Sequence, residues 1–287
     1  MEAPGQLGDE LAERGQARSA APGGPCPVTI LLPPQAAFAL AALEEAGFEA
    51  WCVGGFVRDA LLGRACADVD VATDAPWQEV QRVFEAAGCR THETGTAHGT
   101  LTVVVEQEAL EITTYRDDGA YADARHPEAV SFVRTIEEDL ARRDFTINAM
   151  AWSLNAGSFG ELVDPFDGMD DLEECVIRTP CDPDVTFSDD PLRMMRAVRF
   201  ASQLGFTIEG ETFDAIRRNA HRIRIVSRER IAAELNKIVL SPVPSMGFEL
   251  LELTGLLELI FPEMHNLKGV EKRGAHAHKD NFIHTLK

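Results

Sequence analysis

Hydrophobic spacing along the chain changes character near its middle. Over residues 35–46, Ala and Leu recur at helical spacing until Gly47, a good stop residue, and Ala50-Trp51-Cys52-Val53 is then a continuous apolar run of the kind that forms a buried strand. Gly54-Gly55 breaks that run, and a short helix is predicted over residues 56–62, ending at Gly63. Residues 68–72 alternate acid and apolar, which is strand periodicity with Asp68 and Asp70 on one face and Val69 and Val71 on the other. A helix over 76–87 follows. Residues 100–106 and 110–115 are rich in β-formers, and the three residues between them predict a hairpin. The polar stretch 116–127 has the composition of a mobile loop.

From about Pro191 the pattern is helical. Leu192, Met195, Val198 and Phe200 mark one helix, and residues 213–221, 228–240 and 247–253 mark three more. Pro180, Pro183, Gly205, Pro242 and Gly255 punctuate them. An α+β head with a small sheet therefore precedes an all-helical half, with no internal repeat. Residues 1–34, rich in Gly, Pro and Ala, predict a disordered leader.

Composition narrows the choices. A chain of 287 residues is long enough for about two domains. Its formal net charge of -20 argues against binding a polyanion through a bulk positive field, so any polyanion must be gripped locally. The one locally basic segment runs from Arg178 to Arg230, where ten arginines face eight acids. Cysteines 26, 52, 66, 89, 175 and 181 form no CxxC or Cys/His ligand spacing, which fits a reducing cytosol and excludes a zinc ribbon. No apolar run approaches the ~18 residues of a membrane span, and no signal peptide is recognisable.

The candidate chemistry centres on Asp68 and Asp70. Two carboxylates two apart on a strand share a face and can hold hard divalent cations such as Mg²⁺ through oxygen. Nucleotidyl transfer also wants a third carboxylate on a neighbouring strand, and Glu111, in the second hairpin strand, is the candidate. Acid–apolar alternation by itself describes any half-exposed strand; the Gly54-Gly55 turn and Arg58 just upstream are what favour a metal-bound triphosphate. Neither a GxxxxGK[ST] loop nor GxGxxG is present. The bland alternative for Arg58 is a salt bridge to Asp59.

These residues, with Gly95-Thr96-Ala97-His98-Gly99-Thr100, Arg142-Arg143-Asp144-Phe145-Thr146-Ile147-Asn148-Ala149, residues 164–172, Asp190-Pro191-Leu192-Arg193 and Arg228-Glu229-Arg230-Ile231, resemble the class II CCA-adding tRNA nucleotidyltransferases and related bacterial poly(A) polymerases. The resemblance covers about residues 48–261. It implies a nucleotidyltransferase head over 35–175, a helical neck and RNA-binding region over 176–262, and a partial body. Carried over position by position, Asp68 and Asp70 would hold Mg²⁺, Glu111 would complete the catalytic carboxylates, and Gly55 and Arg58 would contact the triphosphate. Arg143 and Asp144 would meet the sugar and phosphates of the incoming nucleotide. Asp190 and Arg193 would read the base, the acid accepting and the guanidinium donating hydrogen bonds; Arg196 and Arg199 would face the nucleotide or its phosphates. Asp190 before Pro191 is also what a helix cap looks like, and arginines at three-residue spacing often form a solvated face. His98 is read as structural.

The resemblance implies template-independent addition of C and A to the 3' end of tRNA, from CTP and ATP, in the cytoplasm. The 115–127 loop, with Arg116, Asp117, Gly119, Tyr121, Arg125, His126 and Pro127, resembles the element that favours complete CCA addition over partial addition. Poly(A) synthesis is the alternative within the family, and an inactive RNA-binding or nucleotide-sensing protein is the alternative from another class. Residues 263–287 resemble the opening of an HD-type hydrolase domain, with His284 at its first metal-ligand position and no following His-Asp pair, so a truncated module without a working HD metal site is expected.

Overall fold

The computed structural model describes residues 32–66, 68–118, 130–153, 160–268, 272–273, 276–277 and 281–286. The expected leader falls outside the described residues up to 31, as do Gly119, Tyr121, Arg125, His126 and Pro127 of the loop. The chain divides into two compact units, one built from the described residues before 119 and from 130–172, the other from 173 onward.

The first unit is α+β, as expected. Its sheet has seven strands in the order β3-β4-β5-β2-β1-β8-β9. These are β1 (Ala50–Val53), β2 (Asp70–Thr73), β3 (Arg90–Gly95), β4 (Thr100–Val105), β5 (Glu108–Thr114), β8 (Ala151–Ser153) and β9 (Leu162–Val163). Only the β2–β5 pair is parallel; the other neighbours are antiparallel, so the sheet is mixed. A separate ladder pairs β6 (Arg116–Asp118) with β7 (Val130–Phe132). The helices Pro34–Glu45 and Trp77–Ala86 bury Leu40, Leu43, Val80 and Phe84, and Phe38 meets Phe84 edge-on at 6.4 Å. A second cluster joins Trp51, Val53, Ala72 and Tyr115 to Ile136 and Leu140 of the helix Ile136–Ala141. Fully burying one such side chain contributes roughly 1.5–3 kcal/mol, so these clusters hold the helices against the sheet.

Three local differences from the sequence reading have physical causes. The strand expected from residue 68 begins at Asp70, because its partner β1 ends at Val53, where Gly54 turns away with φ +71. The in–out alternation nevertheless continues upstream: Asp68 is exposed and Val69 buried. The hairpin connection has two residues rather than three, since Glu106 and Gln107 both take positive φ, the twist a two-residue hairpin turn requires. Strand β3, with exposed His92, Glu93 and Thr94, carries too little apolar signal to be found by periodicity.

The second unit is helical. Its main helices are Pro183–Asp189, Leu192–Leu204, Gly210–Asn219, Arg228–Val239, Pro244–Leu253 and Leu256–Ile260, with one small parallel ladder between Val176–Ile177 and Thr207–Ile208. Helix Leu192–Leu204 is its axis, burying Met194, Met195, Ala197, Val198 and Ala201 completely. Among the described residues, no helix is long and apolar enough to cross a membrane.

Candidate active site

The sheet places the acids side by side. Asp70 is the first residue of β2 and lies opposite Glu111 of β5 in the parallel ladder; Glu111 in turn lies opposite Thr102, and Thr102 opposite His92. Laterally adjacent residues share a face and sit about 5 Å apart, so Asp70 and Glu111 point the same way. Asp68 precedes the strand but is also exposed, two residues upstream of Asp70. The pKa of Asp70 lies above the ordinary carboxylate value: desolvation is the main cause, the charge of Arg143 opposes it, and the nearby charges of Asp68 and Glu111 add to it. Three carboxylates thus repel one another with one arginine in their field.

Among the described residues, no three acidic, His or Cys side chains converge closely enough to cage a metal ion. Mg²⁺ usually takes one or two protein carboxylates and fills its remaining positions with water and substrate phosphate oxygens. The exposed, mutually repelling acid row fits such a cation on the chemistry of its donors.

The glycine turn brings Arg143 to the same place. A Cβ on Gly54 would come within 2.9 Å of Arg143 Nη1 and 3.9 Å of Asp70 Oδ2, and the positive φ of +71 there is what favours glycine. Arg143 Nη2 donates to Asp139 Oδ2 at 3.2 Å. Asp139 is buried, and its carboxylate also accepts from Arg142 Nε at 3.0 Å and Nη2 at 2.9 Å, and from the backbone N–H of Arg116 at 3.3 Å. Burial works to raise the Asp139 pKa, but the charges of Arg142 and Arg143 and these hydrogen bonds outweigh it and hold the group below the usual carboxylate range.

Arg58 is buried beneath the turn rather than paired on the surface. Its guanidinium donates to both oxygens of Asp59, at 3.0 and 2.9 Å, and to Asn148 Oδ1 at 2.6 Å. Asn148 Nδ2 passes the connection to Asp144 Oδ1 at 3.0 Å, and that oxygen also accepts the Phe145 N–H at 2.9 Å. A Cβ on Gly55 would lie 3.5 Å from Arg58 Nη2. Gly55, Arg58, Asn148 and Asp144 therefore form one connected floor under the turn.

In the helical unit, Asp190 Oδ1 accepts the Leu192 N–H at 3.1 Å and Oδ2 accepts from Arg230 Nη2 at 2.8 Å. Pro191, not Asp190, is the N-cap of the helix Leu192–Leu204, but Asp190 one residue earlier still accepts a first-turn N–H, and Arg230 holds its second oxygen. Arg193 is the second residue of the helix Leu192–Leu204, its N–H bonded to the Asp190 carbonyl at 2.9 Å. Arg196 stacks over Phe200, 5.5 Å from the ring centroid. Arg199 turns inward: its Nε lies 2.7 Å from Glu234 Oε2, it covers the Phe200 ring at 4.0 Å, and it is buried. Its observed place is between two helices, with Nη1 donating to Gln203 Oε1 at 3.2 Å.

Sequence reasoning overlooked Asp139 and Glu234, and gave no role to Asn148 although it lies in a recognised motif. For Asp139 a signal existed: it stands three and four residues before Arg142 and Arg143, the spacing at which helical side chains meet. Arg230 lay in a recognised motif without a role.

A parallel-edged acid row beside a glycine turn, followed by a helical unit, defines a nucleotidyltransferase head with its helical extension. Comparison with known proteins agrees. The family model described as "Poly A polymerase head domain" matches residues 50–178, and that described as "Probable RNA and SrmB- binding site of polymerase A" matches residues 205–268. The CCA-adding enzyme of Anoxybacillus flavithermus is 44% identical over 82% of this chain and 57% of its own length; that of Geobacillus thermodenitrificans is 47% identical over 75% and 51%. Among solved structures, the Bacillus stearothermophilus CCA-adding enzyme in complex with CTP matches with TM-score 0.70 and 40% identity, over 77% of this chain and 52% of that one. A tRNA nucleotidyltransferase complexed with a primer tRNA and an incoming ATP analog matches with TM-score 0.64 and 30% identity, over 80% and 67%. The chain belongs to the family of CCA-adding tRNA nucleotidyltransferases and bacterial poly(A) polymerases. It spans about half the length of the curated relatives it matches.

Proposed function

We propose that the protein adds C and A, without a nucleic-acid template, to the 3' end of tRNA, using CTP and ATP in the cytoplasm. The observation that carries this reading is the register that sets Asp70 beside Glu111 with Asp68 exposed just upstream and Arg143 in their field. In the proposed reaction the terminal 3'-oxygen of the tRNA bonds to the α-phosphorus, the bond to the β-phosphate oxygen breaks, and pyrophosphate leaves with the bonding electrons. Asp68 and Asp70 would hold Mg²⁺, which when bound neutralises the triphosphate and acidifies the attacking hydroxyl. Glu111 would complete the acid set.

The other residues would orient the substrates. The turn at Gly54-Gly55, floored by Arg58, would cradle the triphosphate, and Arg143 and Asp144 would meet its sugar and phosphates. Asp190 would accept from, and Arg193 donate to, the Watson–Crick edge of C or A, leaving G and U with unsatisfied groups. Arg196, stacked on Phe200, would border the base, and Arg199 would support that helix through Glu234.

The test is to sequence 3' ends made from tRNA lacking its last three nucleotides, with Mg²⁺ and CTP alone, ATP alone, or both. CC with CTP alone and CCA with both is the expected result. A long A tail would assign poly(A) synthesis instead; no extension by a protein that still binds nucleotide would favour the sensing alternative.

A further inference from the structure

Asp139 is one residue of the first unit whose chemistry the proposed reaction does not use. It is 1% exposed and holds its negative charge inside the protein, a costly placement unless the charge is paired and hydrogen-bonded. Of its three partners, Arg142 is gripped through two nitrogens and the Arg116 N–H fixes the start of β6. Arg116 also donates from its side chain to the carbonyl of His98. The third partner is Arg143, whose guanidinium spans from Asp139 Oδ2 to the space over Gly54 where Asp70 lies.

An arginine beside an acid row has two possible resting places. Unrestrained, it would collapse onto Asp70 and compete there with a cation; held by a second carboxylate behind it, it stays available to phosphate. We propose that Asp139 is the positioning residue for Arg143, holding its guanidinium over Gly54 so that it meets the incoming nucleotide instead of quenching Asp70. This rests on reading Arg143 as a nucleotide contact, and extends it by naming what sets the pose. Helix geometry makes the restraint firm: Asp139 lies in the helix Ile136–Ala141, capped by Thr135, whose side chain accepts the Glu138 N–H.

The test is a double-mutant cycle on the whole chain, measuring CTP binding by calorimetry in the presence of Mg²⁺ and extension kinetics in parallel. Arg143→Ala should weaken CTP binding, and Asp139→Asn should weaken it by roughly three- to thirtyfold, the range typical of coupled neighbours. In the Arg143→Ala background, Asp139→Asn should add nothing. Arg142→Ala, which removes an equally close partner of Asp139, should leave CTP binding within about twofold of the parent. Additive losses, or equal losses from Arg142→Ala and Asp139→Asn, would show a merely structural acid and overturn the proposal. If Arg143→Ala binds CTP like the parent, the nucleotide reading of Arg143 fails and takes the proposal with it; a loss in Arg143→Ala with none in Asp139→Asn refutes the positioning role alone. Should Asp139→Asn not fold, Asp139→Glu, which keeps the charge but moves it by one methylene, is read in the same cycle: an intermediate loss confined to the Arg143 background supports the role, and an additive one refutes it.

Discussion

The acid row of the sheet unit and the ion pairs of the helical unit treat charge in opposite ways. In the sheet unit, Asp68, Asp70 and Glu111 lie close together with Arg143 in Asp70's field, and desolvation first, then the charges of Asp68 and Glu111, raise the Asp70 pKa against the pull of Arg143. In the helical unit the acids are matched at close range: Glu234 with Arg199 at 2.7 Å and Asp190 with Arg230 at 2.8 Å. Carboxylates crowded together in this way mark a candidate functional site, which the proposed function fills with a cation and its triphosphate. Matched pairs instead hold helices and side chains in place. The difference separates residues expected to fail in chemistry from those expected to fail in stability.

The largest expected effect is therefore catalytic. Asp70→Asn should lower single-turnover extension by about a thousandfold, the several kcal/mol a bound metal contributes, while the apo protein melts no earlier because repulsion has been relieved. Early melting would break the contrast. Next comes Glu234→Ala, which leaves Arg199 buried without its partner and should cost about 3–5 kcal/mol in denaturant unfolding. Replacing both, as Arg199→Met with Glu234→Leu, should recover most of that loss.

Asp139→Asn should cost about 2 kcal/mol at pH 7, as expected for hydrogen bonds to a charged group. Its pH dependence follows from the direction of the shift. The folded pKa lies below the ordinary 3.8, so the stabilisation is fully present above that value and fades as pH falls through the lower folded pKa. The melting difference between parent and variant should shrink only below about pH 4; a deficit unchanged across acid would contradict the charge-based account. The smallest effect belongs to Arg230→Gln, which should cost about 1 kcal/mol of stability, yet reduce discrimination between C and U because Asp190 loses one of its two anchors. Unchanged selectivity would move Asp190 from base reading to capping alone.

Much of this contrast was legible in the sequence, and the reasons for the rest are specific. The strand 50–53 and the helices near 34–46, 192–204 and 228–240 follow from apolar periodicity, because their burial is one-sided or complete. The acid alternation placed Asp68 and Asp70 on one face, although only Asp70 entered the ladder. Register between β2 and β5 was beyond reach, since Asp70 and its neighbour Glu111 stand 41 positions apart in this parallel pair that no hairpin connects. The directions of the arginines were likewise hidden: Arg193, Arg196 and Arg199 share a spacing, yet Arg199 turns inward because Glu234 waits on another helix. Sequence spacing gives a face, and only packing reveals the partner across it.

The central claim is that the acid row on β2 and β5 is a cation site for a nucleoside triphosphate. Its most direct test is Mn²⁺ binding followed by electron paramagnetic resonance, with and without CTP, in the parent and in Asp68→Asn, Asp70→Asn and Glu111→Gln. The account predicts tight Mn²⁺ binding that depends on CTP in the parent and is lost or greatly weakened in each variant. CTP-dependent binding that survives unchanged in Asp70→Asn would contradict it.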